Sequence, residues 1–593
     1  MGSLASGAFR RFLESPRAPI WAALIGVLLS SPALFSGFHT EDWTFRAVAP
    51  EPPFSLPWSV NLWGLDGRPD DEAVKKIVYE AKRLGALPWF GDEYFHVSLW
   101  RPLASWTHHL DFRLFPDSPL LMHAENLAWY GLLVLAVGAL YRRVLAAPVF
   151  PAWTSGLAVL AYAVDDAHGH AVGWIMNRSA VMAALFGVIA IASLDRWRRA
   201  GSRAGAALCS VGLALGLASS EFALGSVGYL IAHAVCLDPG RPLRRCLVSL
   251  VWLIPLALWA IAYRALGHGA WESGLYVDPL SQPLVFAQHV LEHGSVLLLA
   301  QLGFPPSDLF LSMAPARALL MAGAAASALI GLAALIWPLL RARREVSFWA
   351  LGTLLSVVPI SAGFPEDRML LLTGVGGMGL FASLVAAATE FDWRTRLRRR
   401  AVPALAVLLA LLHLVIAPVL LPLRALTMWR YERALARARD SAFALVEFPQ
   451  QELVLLNAPD AYFASMLVLT RAARHERLPA LTLCLNGSLE PLQIRRDDPY
   501  TLELVPRAGF ITPGFNEIYR APRRPIPEGH VFWFPAFQVR VDRVSQAGEP
   551  LSARFRFRWP LDAPRMVFAV FRDGRYQRIA MPAIGETRWI ETQ

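Results

Sequence analysis

The chain has 593 residues, of which 55% are hydrophobic and only 17% are charged, and its mean hydropathy is +0.40. This composition excludes an ordinary water-soluble protein and also a disordered or low-complexity chain. The formal net charge of +10 does not indicate a nucleic-acid partner. The basic residues lie between hydrophobic runs instead of clustering on a soluble face, which is a signal of membrane topology.

Apolar runs of about 17–22 residues, the length that lets an α-helix cross a membrane, recur through residues 1–420. Basic flanks follow every second run. When these flanks are assigned to the cytoplasm, they predict about eleven spans, with the N-terminus inside and the C-terminus outside. The predicted spans are centred on Ile25, Leu132, Leu157, Gly187, Gly212, Tyr229, Pro255, Ala326, Leu354, Gly379 and Ala410. One more apolar stretch, residues 283–303, would reverse this assignment, so we interpret it as interfacial or re-entrant on the outer face.

The first outer loop, residues 36–120, starts with S-G-F-H-T-E-D-W, which places Glu41 and Asp42 just beyond the first span. Two interpretations compete: a solvated loop start, or a catalytic carboxylate pair held at the membrane surface. Further along the loop, residues 70–84 predict an amphipathic helix with acidic residues at its start and basic residues at its end. Such a helix can lie on the bilayer or pack on the protein.

Other polar residues fall at the outer ends of the predicted spans. They are Asp165, Asp166, His168, His170, Arg178, Glu221, Asp367 and Arg368. Charged groups at membrane depth are costly, so their accumulation at one level predicts a polar site. The spacing of Asp165, His168 and His170 is not specific for a metal, and a divalent metal stays an open alternative. For Arg178 and Arg368, the competing interpretation is that their side chains reach out to lipid headgroups.

Beyond residue 420 the composition changes. Residues 423–448 and 462–475 predict helices, and residues 452–457 predict a buried strand between them. Asp573 and Gly574 lie between two short strand-like segments, which predicts a β-hairpin. The predicted fold is therefore a mainly α, polytopic membrane domain over residues 1–420, followed by an extracytoplasmic α/β domain over residues 421–593 that is richer in strands towards its end.

Three segments of the first outer loop and second span carry a family resemblance: W-R-P-L, H-L-D-F-R-L-F-P-D-S-P and H-A-E-N-L, at residues 100–103, 109–119 and 123–127. They resemble the "RPL…LDYxLFGxxPxxFHxxNL" stretch of the GT-C membrane glycosyltransferases. The resemblance is nearest to the bacterial relatives of the transmembrane, tetratricopeptide-repeat O-mannosyltransferases. Later matches follow in order at residues 168–186, 219–221 and 367–371, so the similarity covers roughly residues 35–390.

The resemblance implies a GT-C-like fold and an enzyme of the cell inner membrane. Such an enzyme moves a sugar from a polyprenyl-phosphate donor to a hydroxyl of a protein, glycan or lipid acceptor, on the extracytoplasmic side. It implies that Glu41 is the catalytic base and that Asp42 positions the acceptor or a metal. The candidates for binding the donor phosphate are Arg101, Arg178, Arg368 and, more weakly, His168.

The chain departs from the family pattern at several positions. His170 replaces the family's Glu, Ala180 its Asp and Ser220 its Lys, and no tetratricopeptide array follows the last span. These departures keep open a catalytically inactive membrane anchor for the C-terminal domain. A lipid or polysaccharide transporter or flippase is the other alternative; it would place charged residues near the middle of the membrane.

Overall fold

The structure is a computed structural model that describes residues 7–48 and 72–591. Its helices are α1 (Gly7–Glu14), α2 (Ala18–Ser30), α3 (Glu41–Val48), α4 (Glu72–Arg83), α5 (Pro102–Leu114), α6 (Pro119–Val144), α7 (Thr154–Ala163), α8 (Ala167–Gly173), α9 (Arg178–Ala200), α10 (Arg203–Ser219), α11 (Leu224–Ala232), α12 (Pro242–Ala265), α13 (Pro283–Leu302), α14 (Pro315–Ala342), α15 (Arg344–Ile360), α16 (Leu371–Glu390), α17 (Arg396–Leu411), α18 (Ala417–Arg424), α19 (Thr427–Phe443) and α20 (Ala461–Ala473). The strands are β1 (His96–Ser98), β2 (Gly269–Trp271), β3 (Glu452–Leu455), β4 (Leu481–Cys484), β5 (Leu492–Asp498), β6 (Thr501–Pro506), β7 (Val531–Trp533), β8 (Phe537–Val544), β9 (Pro550–Phe557), β10 (Met566–Arg572), β11 (Arg575–Arg578) and β12 (Thr587–Ile590).

Within the described residues, 8 helices are long and apolar enough to cross a membrane, judged by length and composition. They are α2 with the turn after it, α6, α9 with the turn before it, α12, α13, α14, α16 and the continuous run from α17 to α19. The predicted mainly α, polytopic membrane fold with a C-terminal α/β domain is confirmed at this level.

The predicted span centred on Leu157 differs most from its expected length. The helix there, α7, has 10 residues and is therefore only about 15 Å long, half the thickness of the hydrocarbon layer. It packs between α2, α6 and α16, and most of its residues are buried. A helix enclosed by protein in this way need not match the bilayer, because its backbone ends are not exposed to lipid.

The apolar stretch at residues 283–303 forms a single helix, α13, and both of its flanks stay beside the same segment. Before the helix, the N–H of Val277 donates to the carbonyl of Ala362 at 2.8 Å. After the helix, the hydroxyl of Ser307 donates to Asp367 at 2.6 Å. A helix of 20 residues is about 30 Å long and could cross a membrane. The two contacts instead return the chain to the level from which it started.

The C-terminal domain contains two sheets. In the four-stranded sheet, of order β11-β10-β3-β4, the strand β3 runs parallel to both of its neighbours, and α19 and α20 pack against this sheet. The six-stranded sheet, of order β12-β5-β6-β9-β8-β7, is entirely antiparallel. The predicted hairpin is confirmed: β10 and β11 pair across Asp573 and Gly574, which both have positive φ as a tight two-residue turn requires.

Part of the first outer loop belongs to the core of the C-terminal domain. Trp89 is fully buried, and its indole N–H donates to the carbonyl of Leu485 at 2.9 Å. The rings of Phe510 and Phe555 lie 5.1 and 5.4 Å from it in edge-to-face contact. The boundary drawn at residue 420 therefore describes the chain order, whereas the folded core of the sheet domain includes residues from the loop.

The predicted amphipathic helix of this loop is α4, and it packs on the protein. Residues 70 and 71 lie outside the described part of the chain. Val74 and Val78 are buried, and the ammonium of Lys82 donates to the carbonyl of Gly91 at 2.5 Å. Just beyond α4, Gly85 has φ +74°, and a Cβ there would lie 1.7 Å from the carbonyl oxygen of Thr482. Only glycine permits this close approach between the loop and β4.

We predict that Trp89→Ala destabilises the outer part of the protein by about 3–5 kcal/mol, because it leaves a cavity in a packed aromatic core. Thermal unfolding and limited proteolysis of the full-length protein in detergent would measure the effect. Trp533→Ala is the matched control, since Trp533 is 69% exposed on β7 and its loss should change stability little. Equal unfolding temperatures for the two variants would contradict the assignment of Trp89 to this core.

Candidate active site

The site begins at the N-terminus of α3. Glu41 and Asp42 are its first two residues, where negative charge is favoured by the helix dipole. The residue before them, Thr40, has φ +33°. A β-branched residue with positive φ is a genuine conformational outlier, of the kind that clusters at functional sites.

Asp42 is fully buried and serves the backbone. One carboxylate oxygen accepts the N–H of His39 at 2.9 Å, and the other accepts the N–H of Met176 at 3.2 Å. Burial raises the pKa of Asp42 well above its ordinary value. Asp42 therefore joins the start of α3 to the turn before α9, and its carboxylate has no open side for a substrate.

Glu41 is half-buried, and its carboxylate faces another part of the protein. Oε1 accepts the hydroxyl of Tyr462, on α20, at 2.5 Å, and Oε2 accepts the hydroxyl of Thr40 at 2.9 Å. The N–H of Thr40 in turn donates to Glu432, on α19, at 3.1 Å. The C-terminal region thus holds both the candidate base and the residue that precedes it.

Arg368 lies in the same electrostatic neighbourhood as Glu41. Its guanidinium pairs with Glu366 and lies over the ring of Trp174, 5.4 Å from the centroid. Burial alone lowers the pKa of Arg368, but the charges of Glu366, Glu41 and nearby groups reverse this, so that its pKa is raised. The Arg368 side chain is 22% exposed.

The ring of His170 stacks on the ring of Trp174. The two ring centroids are 5.8 Å apart, and the angle between the planes is 13°. Burial, followed by the charge of Arg368, lowers the pKa of His170 to about 3. His170 is therefore neutral at physiological pH. It occupies the position at which the resembling family has a carboxylate, and here it stacks on the Trp174 ring that also contacts Arg368.

Arg101, at the start of α5, is a second cationic group. It donates from Nε to Glu221 at 2.8 Å and from Nη1 to Ser179 at 3.4 Å. Burial raises the pKa of Tyr276, while the charges of Arg101 and Arg368 oppose the rise. Tyr276 therefore lies in the electrostatic field of both cations.

Arg178 is placed differently from the expectation that it binds a donor phosphate. It is fully buried, and its guanidinium lies 2.5 Å from Asp111 and 3.1 Å from Glu125. It also donates to the side-chain oxygen of Asn126 at 2.6 Å and to the carbonyl of Met122 at 3.1 Å. A phosphate could reach this guanidinium only by displacing a carboxylate, so the geometry gives Arg178 the role of joining α5, α6 and α9.

The remaining sequence candidates fall into two other clusters. Asp165 accepts from Gln301 at 2.7 Å, and His168 is buried with Nδ1 3.2 Å from the hydroxyl of Tyr130. Asp166 and Asp367 instead bind the guanidinium of Arg424, at 3.3 and 2.7 Å, together with Asp308 at 2.6 Å. Burial raises the pKa of Asp166 and of Asp308 to about 6.

The residues considered for a metal do not converge. Asp165, His168 and His170 each have a different partner: an amide, a tyrosine and a tryptophan ring. Over residues 7–48 and 72–591, no group of three or more His, Cys, Asp or Glu side chains is arranged to hold a metal ion. The donor set present therefore does not fit a divalent metal, and no chemical step is assigned to one.

Several members of the site were missed from the sequence. They are Tyr462, Glu432, Glu366, Asp111, Asp308 and Arg424. Asp111 lies inside a family-like segment and could have been selected as the partner of a buried arginine. Tyr462 had no comparable signal, because it comes from a separate domain and reaches Glu41 across 421 positions of the chain.

No protein-family model matches the sequence, and no curated protein matches it significantly. Among solved structures, the chain is similar to the apo oligosaccharyltransferase of Archaeoglobus fulgidus, with 12% identity and a TM-score of 0.40. That similarity covers 79% of this chain and 65% of the oligosaccharyltransferase, so the chain spans less than two thirds of its length. A second similarity is to ArnT from Cupriavidus metallidurans bound to undecaprenyl phosphate, with 14% identity, a TM-score of 0.32 and coverage of 74% and 89%. The function is therefore inferred from this chain's own residues.

We predict that Arg178→Met lowers the stability of the protein by about 3–5 kcal/mol, because it leaves Asp111 and Glu125 buried without their cation. Thermal unfolding in detergent would measure the loss. Adding Asp111→Asn and Glu125→Gln to the same variant should recover much of it, since the uncompensated negative charge is then removed. A single Arg178→Met variant with the unfolding temperature of the wild type would refute the structural role.

Proposed function

We propose that the chain is an integral-membrane glycosyltransferase of the GT-C type, which moves a sugar from a polyprenyl-phosphate donor to an acceptor hydroxyl. The observation that carries the proposal is that a half-buried carboxylate, Glu41, and the partly exposed guanidinium of Arg368 lie beside the same short segment, residues 174–176. Asp42, next to Glu41, accepts the N–H of Met176, and Arg368 lies over the ring of Trp174. Arg368 lies in a segment that resembles this family, and Glu41 lies within the overall range, roughly residues 35–390, that the resemblance covers.

In the proposed reaction, Glu41 takes the proton of the acceptor hydroxyl as its oxygen attacks the anomeric carbon. The new bond joins the acceptor oxygen to that carbon, and the bond from the carbon to the donor phosphate breaks. The phosphate leaves with the electron pair, and Arg368 stabilises its growing negative charge by hydrogen bonds from a planar guanidinium. Asp42 does not react; it fixes the backbone that presents Glu41.

The donor phosphate is assigned to Arg368 first and to Arg101 second. The Arg368 side chain is 22% exposed and pairs with Glu366, and that of Arg101 is 10% exposed and pairs with Glu221. Arg178 and His168 are fully enclosed by protein groups, so the proposal gives them no contact with the donor. This narrows the set of phosphate ligands that the family resemblance implies.

The reaction is proposed to take place outside the cytoplasm. The basic flanks of the spans support a cytoplasmic N-terminus. The hydrogen bond between Glu41 and Tyr462 supports an outer position for the C-terminal domain, because Glu41 follows the first span directly. The charged groups proposed for the site lie at the ends of helices and in the turns between them, and not in the middle of the apolar helices, which supports transfer at the surface over transport through the membrane.

We predict that Glu41→Gln abolishes sugar transfer, a loss of at least about 100-fold, because the amide cannot accept the acceptor's proton. The assay is mass spectrometry of surface glycans, glycolipids and glycoproteins from a deletion strain that carries either the wild type or a variant gene. Asp42→Asn should instead lower stability as well as activity. The amide oxygen can accept only one of the two N–H groups that Asp42 binds, and the amide nitrogen, itself a donor, then faces the other. Full restoration of the missing sugar by Glu41→Gln would refute the catalytic assignment.

We predict that Arg368→Lys weakens the binding of undecaprenyl phosphate to the purified protein by about tenfold or more, because lysine cannot form the planar two-point contact. Thermophoresis in detergent, with undecaprenyl phosphate as the probe, would measure the affinity. Arg341→Lys is the matched control: Arg341 also lies over a tryptophan ring, 5.0 Å from the centroid of Trp337, but at the other end of a span. Equal affinity of both variants would assign Arg368 to headgroup contact alone.

A further inference from the structure

The hydrogen bond between Glu41 and Tyr462 joins the candidate base to the C-terminal domain. The phenol donates to Oε1 at 2.5 Å, which is the short distance typical of a hydroxyl bound to an ionised carboxylate. Burial, and then the charge of Glu41, raises the pKa of Tyr462 well above its ordinary value, so the phenol keeps its proton and remains a donor.

Tyr462 is held in a fixed place by the start of its own helix. Asp460 caps α20 by accepting the N–H of Phe463 at 2.7 Å. Asn516 accepts the N–H of Ala461, also at 2.7 Å. The Tyr462 ring stacks on Phe515, with the centroids 5.7 Å apart and 28° between the planes. The position of the phenol is therefore set by the backbone of two segments.

These two segments are themselves anchored to the body of the C-terminal domain. The side-chain amide of Asn516 donates to the carbonyl of Gly487 and to the hydroxyl of Thr512, each at 2.5 Å. A Cβ at position 487 would lie 2.6 Å from Asn516, so a larger residue does not fit there. The ring of Phe515 also contacts that of Phe364, in the loop that carries Arg368, with the ring centroids 6.1 Å apart.

We propose that Tyr462 is a positioning residue for Glu41, so that the C-terminal domain completes the transferase site formed by the membrane helices; this rests on the proposed function. The phenol stabilises the ionised form of Glu41 and fixes the direction of its Oε1. The second oxygen, Oε2, has the hydroxyl of Thr40 as a partner and a further lone pair for the acceptor hydroxyl. No bond to Tyr462 forms or breaks in the reaction.

The experiment compares Tyr462→Phe with Tyr431→Phe in the full-length protein. Tyr431 is the matched control: its ring lies 6.4 Å from that of Tyr462, but its buried hydroxyl has no hydrogen-bond partner among the described residues. Membranes of the deletion strain supply the accumulated donor and acceptor. Purified enzyme is added between pH 5 and 9, and mass spectrometry follows the product.

Tyr462→Phe should lower the rate by about ten- to hundredfold and move the acidic limb of the pH–rate profile to higher pH. The reason is that Glu41 loses the hydrogen-bond donor that stabilises its ionised form. Tyr431→Phe should leave both quantities unchanged. A wild-type rate for Tyr462→Phe, or a lower rate with an unmoved acidic limb, would overturn the positioning role. An inactive wild-type enzyme would instead overturn the proposed function itself.

A second variant keeps the test decisive if Tyr462→Phe fails to fold. Incorporation of 3-fluorotyrosine at position 462 preserves the shape of the side chain and makes the phenol a stronger donor. The acidic limb should then move to lower pH, in the direction opposite to that of Tyr462→Phe. An unmoved limb in a folded, active fluorotyrosine protein would refute the inference.

Discussion

The candidate site depends on one buried carboxylate. Asp42 accepts the N–H groups of His39 and Met176, and so holds the start of α3 against the turn that leads into α9. An unpaired carboxylate in the interior would be costly, so these two bonds must persist while the fold persists. Successive residues of a helix point about 100° apart, so fixing Asp42 inward turns Glu41 towards the C-terminal domain. The buried acid of the pair thereby determines where the proposed base points.

The arginines around the candidate site have similar carboxylate partners but differ in how far their side chains are exposed. Those at positions 101, 178, 368 and 424 all pair with carboxylates, and their side chains are 10%, 0%, 22% and 16% exposed. A buried pair is costly to break, because the carboxylate left behind loses its compensation. Under the proposed function, the donor phosphate therefore meets the least resistance at Arg368. Arg178 and Arg368 resembled each other in the sequence, since both lie at a predicted membrane boundary in family-like motifs, and only the packing around them separates their roles.

Local features of the fold were predictable and long-range contacts were not. Apolar runs and the turn at Asp573 and Gly574 act over a few residues, so the polytopic helical fold and the hairpin were predicted correctly. The lengths of the predicted spans centred on Leu157, Gly212 and Tyr229 were not, because their helical runs have only 10–17 residues and are packed among neighbouring helices. For the same reason Trp89 was not predicted in the core of a distant domain, nor Tyr462 in the site: no local pattern marks a partner that lies hundreds of residues away.

The contacts between the two ends of the chain also limit how it can cross a membrane. Glu41 and Tyr462 touch, and Trp89 lies inside the sheet domain, so the chain between these points must cross an even number of times. With α2 as the first crossing, the predicted set of eleven spans, which consists of α2, α6, α7, α9, α10, α11, α12, α14, α15, α16 and the run from α17, meets this condition. The same set with α13 added does not meet it. The contacts of Val277 and Ser307 with residues 362–367 favour the same arrangement, because they place both flanks of α13 beside one segment.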